Sequence, residues 1–437
     1  MSKKAVTTTA AALAVIALIV GIAIGAALAP SLGLVPPAEK VVEEKIVEVP
    51  PLRGEILIGA LLPLTGDLAS YGENSQQAAL LAESEVNDFL KKSGQPFTIK
   101  VLVEDTQTKP DVALQKLQSL AARGVKLYVG PQSSGEIRQI KSYVDANKLL
   151  LVSQSSTAPD LAISGDFVFR ICPDDTIQGP IGPKLFKGIG VTHMIYAYRG
   201  DAWGDGLFRT SAAEARSLGI NIGEEIRYAP EKKEFSAEAK ALSDAVKEAM
   251  AAGVAPANIG VQLIAFGEAV AFLVSAADYP DLAKVRWFGS DGTAQLAELT
   301  KEPKAAKFGA DVKWVNPIFA PAFNEKYTKV TEFTKQKLGR APDSYAYSAY
   351  DIVWLLSLTL MQVQKYDGEA MRNVFFDVAS RYYGAVGWTR LNEAGDLASA
   401  DYLLWVLLPK DGTFDWADVG TFSFSTGGFV WKPGFSL

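Results

Sequence analysis

Short apolar runs and longer amphipathic stretches alternate along the chain from residue 56 onwards. The apolar runs are typical of buried strands, and the stretches between them have the spacing of helices that are apolar on one face. The pattern predicts strands over 56–62, 99–103, 127–130 and 149–153, with helices over 75–92, 110–122 and 134–146. This alternation predicts an open, mostly parallel sheet with helices on both of its faces.

The rhythm starts again after residues 167–171, which indicates a second α/β lobe. Its pattern predicts strands over 193–198, 226–228, 261–266 and 286–289, with helices that include 206–218 and 236–251. Consecutive helices follow over 322–338, 345–364 and 368–380. Because helices without their own sheet must cover one already built, we expect them to return to the first lobe. The aromatic, turn-rich tail predicts hairpins at the edge of the second lobe.

These predictions divide the chain into an N-terminal helix (1–29), an extended stalk (30–52) and two lobes. Lobe 1 is predicted to contain residues 53–172 and 320–383, and lobe 2 residues 173–319 and 384–437. The apolar stretch 352–361 is too short to cross a bilayer, so we expect a buried helix there.

Residues 10–29 carry no polar or charged side chain. Twenty helical residues span about 30 Å, the thickness of a bilayer core, which predicts an uncleaved membrane anchor. The alternative is a signal peptide cleaved after Ala27-Leu28-Ala29. In both cases Lys3 and Lys4 keep the N-terminus inside. The body is therefore expected on the extracellular face of the cytoplasmic membrane, or in secreted or periplasmic form.

Composition excludes several classes of function. With 43 basic against 49 acidic residues and a net charge of −6, the chain is not expected to bind nucleic acid. Cys172 and His193 are the only residues of their types, so neither a cysteine-rich zinc site nor a paired-histidine site is predicted. The glycine-rich cofactor loops and the G-x-S-x-G elbow of hydrolases are absent from the sequence. We therefore expect no cofactor, no metal and no catalytic site.

Polar residues follow several predicted strands, at the edge where open α/β sheets bind ligands. Ser133 and Ser134 come after one strand, and Ser155, Ser156 and Thr157 come after the next. Hydroxyl and N–H groups at a helix start can bind an anion, with Ser134 as the predicted cap; the alternative is that Ser134 only caps the helix, which is the more common role of a serine at a helix start.

Asp291 lies in the segment Gly289-Ser290-Asp291-Gly292, after a strand of the second lobe. We expect its carboxylate to face a ligand ammonium. The alternative is an aspartate that only stabilises a turn.

Several segments together resemble the branched-chain amino-acid binding proteins of ABC transporters, in the type I periplasmic binding-protein class. The resemblance extends over about residues 56–402. It rests on Pro63-Leu64-Thr65-Gly66, Tyr71-Gly72, Tyr128-Val129-Gly130-Pro131, residues 153–161, Phe169-Arg170, Gln178-Gly179-Pro180, residues 201–206, residues 288–292, Gly387-Trp388 and Gly395-Asp396.

This resemblance implies a two-lobe Venus-flytrap fold with three crossovers, an amino-acid ligand and ABC permease subunits as partners. It implies that Ser134 (or Ser133) and Thr157 hold the ligand carboxylate. The carbonyl of Ser155 and the side chain of Asp291 would hold the ammonium, with Ser156 in the same cluster. Tyr71 and Trp203 would form the walls of the side-chain pocket.

Three positions depart from the family pattern. Asp291 stands where a longer Glu is usual, Trp203 replaces a Tyr, and Phe266 stands where a second-lobe Tyr is expected. An aliphatic amide or urea therefore remains an alternative ligand, and a membrane-tethered sensor remains an alternative role. A hydrolase that uses Ser134 or Ser156 would need an acid–base partner that the sequence does not supply.

Overall fold

The first five strands build one parallel sheet in the order β2-β1-β3-β4-β5. The structure is a computed structural model that describes residues 52–437. The anchor or signal helix and almost all of the predicted stalk lie outside these residues. The strands are β1 (Gly54–Leu62), β2 (Phe97–Asp105), β3 (Leu127–Val129), β4 (Leu150–Ser153) and β5 (Val168–Arg170), and the helices between them are α1 (Ala69–Lys92), α2 (Pro110–Ala122) and α3 (Ser134–Ala146).

A second parallel sheet has the order β7-β6-β8-β9. Its strands are β6 (His193–Arg199), β7 (Asn221–Tyr228), β8 (Ile259–Ile264) and β9 (Arg286–Phe288). The helices of this part are α4 (Asp175–Gln178), α5 (Ile181–Gly188), α6 (Ala202–Ser217), α7 (Ser236–Ala251), α8 (Ala269–Ala276), α9 (Ala297–Lys301) and α10 (Pro303–Asp311).

Six further strands follow towards the C-terminus. Four of them pair in the order β10-β13-β14-β15, and an isolated bridge between Phe288 and Val315 connects these four to the second parallel sheet, while β11 and β12 form a separate two-stranded sheet. The strands are β10 (Asn316–Phe319), β11 (Tyr383–Gly384), β12 (Gly387–Trp388), β13 (Tyr402–Lys410), β14 (Thr413–Ser423) and β15 (Gly428–Trp431). The predicted tail hairpins and the α/β class are confirmed.

The three late helices are α11 (Glu325–Leu338), α12 (Ser344–Val363) and α13 (Gly368–Ser380). Helix α12 packs along α1, where the amide of Asn74 donates to the Asp343 carboxylate at 2.7 Å and the Tyr350 hydroxyl donates to Glu85. The predicted return to the first sheet and the buried helix at 352–361 are confirmed. None of the helices in residues 52–437 combines the length and apolar character that a membrane crossing needs.

The main differences from the prediction are two helix starts, strand β7, which begins at Asn221 rather than residue 226, and one strand that was not predicted. Helix α1 begins at Ala69 rather than residue 75, and α6 begins at Ala202 rather than residue 206 because Asp201 caps it. The first turns contain Gly and polar residues of low helix propensity, and tertiary contacts outweigh that propensity. Strand β10 contains Pro317, which argues against a strand in sequence reasoning. It forms because β10 is the edge strand of its sheet: along its four residues the ladder pairing is with β13 on one side, and an edge strand tolerates a proline.

Candidate ligand-binding site

A small cavity lies where the ends of strands β1, β3 and β4 face the loops that follow β8 and β9. About 10 Å³ of space remains in it, room for about one water molecule. Both sheets contribute to its walls, and so does the start of α12. The lining residues are Leu68, Tyr71, Gln132, Ser133, Ser134, Ser155, Trp203, Phe266, Asp291, Gly292 and Tyr345.

The two hydroxyl clusters lie side by side because β3 and β4 are neighbours in the first sheet. The Ser156 hydroxyl donates to Ser134 Oγ at 3.1 Å, and the backbone N–H of Ala158 donates to the same oxygen at 3.1 Å. Both clusters therefore lie at the same edge of the first sheet. Since Ser134 Oγ accepts twice, its own hydrogen remains available for a ligand.

The cap of α3 is Ser133, so the prediction that Ser134 caps this helix is wrong. Ser133 Oγ accepts from the Glu136 N–H at 3.3 Å and donates to Glu136 Oε2 at 2.7 Å, and the Ser133 N–H donates to the same carboxylate at 2.9 Å. Glu136 stands at the third helical position, which completes a capping box. The Ser133 hydroxyl is therefore committed to the helix, and Ser134 is the one that presents its hydroxyl to the cavity.

This side of the cavity offers hydrogen-bond donors. Within residues 52–437, the backbone N–H groups of Ser134 and Gly135 have no acceptor. Gln132 Oε1 accepts from Gln154 at 2.6 Å, while the buried Nε2 of Gln132 has no partner in the part of the chain that the structure describes. The start of α3 adds a partial positive charge from the helix dipole. These groups together suit a carboxylate or a carbonyl oxygen.

The segment after β4 is only partly at the cavity. Ser155 lines it, and no hydrogen bond from the described residues reaches its carbonyl or hydroxyl. Ser156 lies behind Ser134, and the Thr157 hydroxyl donates to Asp175 Oδ2 at 3.0 Å. The structure therefore places Ser155 in the lining of the cavity. Ser156 and Thr157 lie behind the lining, where they contact Ser134 and Asp175.

Asp291 forms the acidic pole of the site. It is 4% exposed; its Oδ1 accepts from Gln178 Nε2 at 2.9 Å and its Oδ2 accepts from the Tyr345 hydroxyl. Burial raises the pKa of Asp291, and the hydrogen bonds from Tyr345 and Gln178 partly oppose that shift. Within residues 52–437, no Lys, Arg or His nitrogen lies within 4.0 Å of this carboxylate. Its bonds are all to neutral groups, so a cationic ligand group would supply the missing counter-charge.

Aromatic rings form the part of the wall that adjoins Gly292. Trp203 and Phe266 stack with their ring centroids 4.5 Å apart, and the guanidinium of Arg199 lies 4.0 Å from the Phe266 centroid. A side chain at Gly292 would come within 2.6 Å of the Ala265 carbonyl and 2.8 Å of the Trp203 ring. The backbone can pass this close only because residue 292 is glycine.

Tyr71 links the two sides of the cavity. Its hydroxyl lies 2.9 Å from the carbonyl of Asp291 and 2.5 Å from that of Ala294, so α1 of the first sheet contacts the loop that follows β9. Nearby, the Gly267 N–H donates to the Asp67 carbonyl at 2.9 Å. These contacts seal the cavity between the two sheets.

Sequence reasoning gave no site role to Gln178, Tyr345 or Gln132. Gln178 contacts Asp291 across 113 residues and Tyr345 does so across 54 residues, so no local pattern connects them. Gln132 was within reach of the strand-end rule, since it directly precedes the two serines that were singled out.

The family of periplasmic binding proteins matches the chain over residues 55–400. The chain belongs to this family. Its members are extracytoplasmic solute-binding proteins of the ABC-transporter type rather than enzymes, and the predicted resemblance to the type I class is confirmed.

Individual relatives and solved structures differ in how much of this chain they match. The uncharacterised protein MJ1266 of Methanocaldococcus jannaschii is 32% identical over 395 residues, 86% of this chain and 92% of the relative. The Leu/Ile/Val-binding protein BraC3 of Rhizobium johnstonii is 29% identical over 192 residues, and the match spans 43% of this chain and about half (51%) of the relative. A solute-binding protein of Rhodopseudomonas palustris, solved with benzoate, superposes with a TM-score of 0.67 at 15% identity, covering 87% of this chain and 98% of that one. It shares the fold.

Proposed function

We propose that this periplasmic binding protein captures a small amino acid, branched-chain or similar, and delivers it to the permease of an ABC transporter. The observation that carries the proposal is the polarity of the cavity. Donors without acceptors, on Gln132 and Ser134, line one side, and Asp291 lines the other without a cationic partner. A zwitterion has the two groups that these sides lack. Both charge-assisted contacts are of the stronger class of hydrogen bond.

The proposed mechanism is closure of two lobes around the ligand, with the lobes formed by residues 53–172 with 320–383 and by 173–319 with 384–437. A space of about 10 Å³ cannot admit an amino acid, so entry requires the two sides to separate. Contacts such as Tyr71 to Asp291 and the Ser70 hydroxyl to Glu298 (2.7 Å) would re-form on closure. A ligand that touches both sides shifts the population towards the closed form.

The acid at position 291 discriminates among ligand classes. Urea and aliphatic amides are neutral, and benzoate, the ligand of the R. palustris protein, carries an anionic group without an ammonium. Each of these would leave the buried Asp291 carboxylate without a counter-charge, which is costly. The proposal therefore favours amino acids over these alternatives.

We further propose that residues 10–29, outside the described residues, hold the protein at the extracellular face of the cytoplasmic membrane. The apolar composition of this segment and the two lysines that precede it support the proposal. A sensor ectodomain of the same fold would use the same pocket. Co-purification of the full-length chain with permease subunits, rather than with a signalling partner, would separate the two roles.

A thermal-shift screen of the full-length chain in mild detergent tests the ligand class. It would compare the twenty amino acids with acetamide, urea and benzoate. A ligand at a hundred times its Kd stabilises the folded state by about 2.7 kcal/mol, so the melting temperature should rise by several degrees with at least one amino acid. A rise with urea, acetamide or benzoate alone would contradict the proposal.

The serine pair at the start of α3 allows a matched comparison. Ser134→Ala should weaken amino-acid binding about tenfold, because it removes a donor to the ligand carboxylate but no cap. Ser133→Ala should cost about 1 kcal/mol of stability through the lost cap and leave the affinity nearly unchanged. Calorimetric titration gives the affinities and thermal unfolding gives the stabilities. The reverse assignment of the two effects would show that Ser133 is the ligand contact.

A further inference from the structure

A second buried carboxylate lies directly behind Asp291. Asp175, at the start of α4, is fully buried, and its Oδ1 accepts from Gln178 Nε2 at 2.8 Å. The same nitrogen donates to Asp291 Oδ1 at 2.9 Å, so a single amide bridges the two acids. Because both oxygens contact one nitrogen, they are less than about 6 Å apart, within the range where like charges oppose each other's ionisation.

The surroundings supply no compensating positive charge. Within residues 52–437, no basic nitrogen lies within 4.0 Å of either carboxylate. Arg170 is the nearby buried cation, and its guanidinium is already paired with Asp396 through two contacts of 2.5 Å. The pair of acids therefore lacks the counter-ion that buried charges normally require.

The other ionisable groups that face the pair are neutral or acidic. Burial raises the pKa of the Cys172 thiol and of the three facing phenols, so all of them are uncharged at neutral pH. Asp174 adds a further carboxylate beside Asp175. The groups concerned are Asp174, Cys172, Tyr71, Tyr345 and Tyr402.

We propose that the Asp175–Gln178–Asp291 cluster, whose three members all belong to the predicted second lobe and so stay together when the two sides separate, holds one proton in the ligand-free protein and releases it to solvent when a ligand ammonium reaches Asp291. This inference rests on the proposed function. One neutral carboxylic acid and one carboxylate become two carboxylates, and the ammonium supplies the charge that the proton had supplied. Asp175 is thus a positioning residue that acts on the ligand through Gln178 and Asp291.

The ionisation behaviour of the two acids agrees with this geometry. Burial raises the pKa of Asp175 well above its ordinary value, and the negative charge of Asp291 raises it further. The bound ammonium lowers the pKa of the cluster again. Affinity should therefore rise by up to about tenfold per pH unit between the pKa of the bound state and the pKa of the ligand-free state. Above the ligand-free pKa the affinity should be constant.

Proton release can be measured directly on the full-length chain. A pH indicator in weakly buffered solution would follow the addition of a pH-matched mixture of amino acids without histidine and cysteine, which buffer near neutrality. Wild type should release up to one proton per chain. Asp175→Asn removes the charge, and its amide can still accept from Gln178 and donate to the Thr157 hydroxyl. This variant should bind the mixture, as judged by its melting temperature, without releasing a proton.

Asp174→Asn is the matched control, since it changes the neighbouring acid outside the bridge, and it should release a proton as wild type does. Binding by wild type without proton release would overturn this inference and leave the proposed function intact. A mixture that does not raise the wild-type melting temperature would overturn the proposed function and the inference with it. If Asp175→Asn does not fold, the wild-type proton count and the pH dependence of its affinity decide alone.

Discussion

Replacing Asp291 by alanine should weaken amino-acid binding by about 30-fold to several thousand-fold, the equivalent of about 2–5 kcal/mol. The loss is large because the ligand ammonium would be buried in the closed cavity without its only charged partner among the lining residues. Calorimetric titration with the amino acid that gives the largest thermal shift measures the effect.

Asp291→Asn separates charge from geometry. Its amide oxygen can still accept from Gln178 or Tyr345, so the loop after β9 should keep its position while the ammonium loses its counter-charge. We expect most of the loss in affinity to remain in this variant. Asp411→Asn, in the exposed turn between β13 and β14, is the control and should bind as wild type does. Unchanged affinity in Asp291→Ala would remove the ammonium contact from the proposal.

Replacing Asp396 by alanine should destabilise the protein by about 3–5 kcal/mol, because it leaves the guanidinium of Arg170 buried without a counter-ion. Both side chains are almost fully buried, at 0% and 1% exposure. Arg170 also donates to the carbonyls of Ser156 at 3.0 Å and Ala158 at 2.8 Å, the segment that presents Ser155 to the cavity. Affinity should therefore fall together with the melting temperature measured by calorimetry.

A double-mutant cycle tests whether the charge is responsible. The combined variant Arg170→Met/Asp396→Leu removes both charges, so its loss of stability should be well below the sum of the losses in the single variants Arg170→Met and Asp396→Leu. Asp377→Ala breaks the exposed pair with Arg381 and should cost no more than about 0.5 kcal/mol. Equal effects of Asp396→Ala and Asp377→Ala would show that the buried pair contributes no more than a surface pair.

The strand-end rule located the residues that now line the cavity from both sheets. Ser134 and Ser155 were predictable because the carboxyl ends of β3 and β4 meet at one edge, and Asp291 because it follows β9. The rule could not tell which hydroxyls face the cavity. That depends on Glu136, whose carboxylate engages Ser133, and on Asp175, which engages Thr157.

The alternation of apolar and polar positions by itself determined the α/β class and the return of α12 to the first sheet, because hydrophobic periodicity is a local property of a chain. Only the tertiary structure decided that Tyr345 and Gln178 converge on Asp291, and that a second acid stands behind them. Those contacts join distant segments, and their energies depend on burial and on the absence of a neighbouring cation among residues 52–437. Burial and distance arise only when the chain is folded.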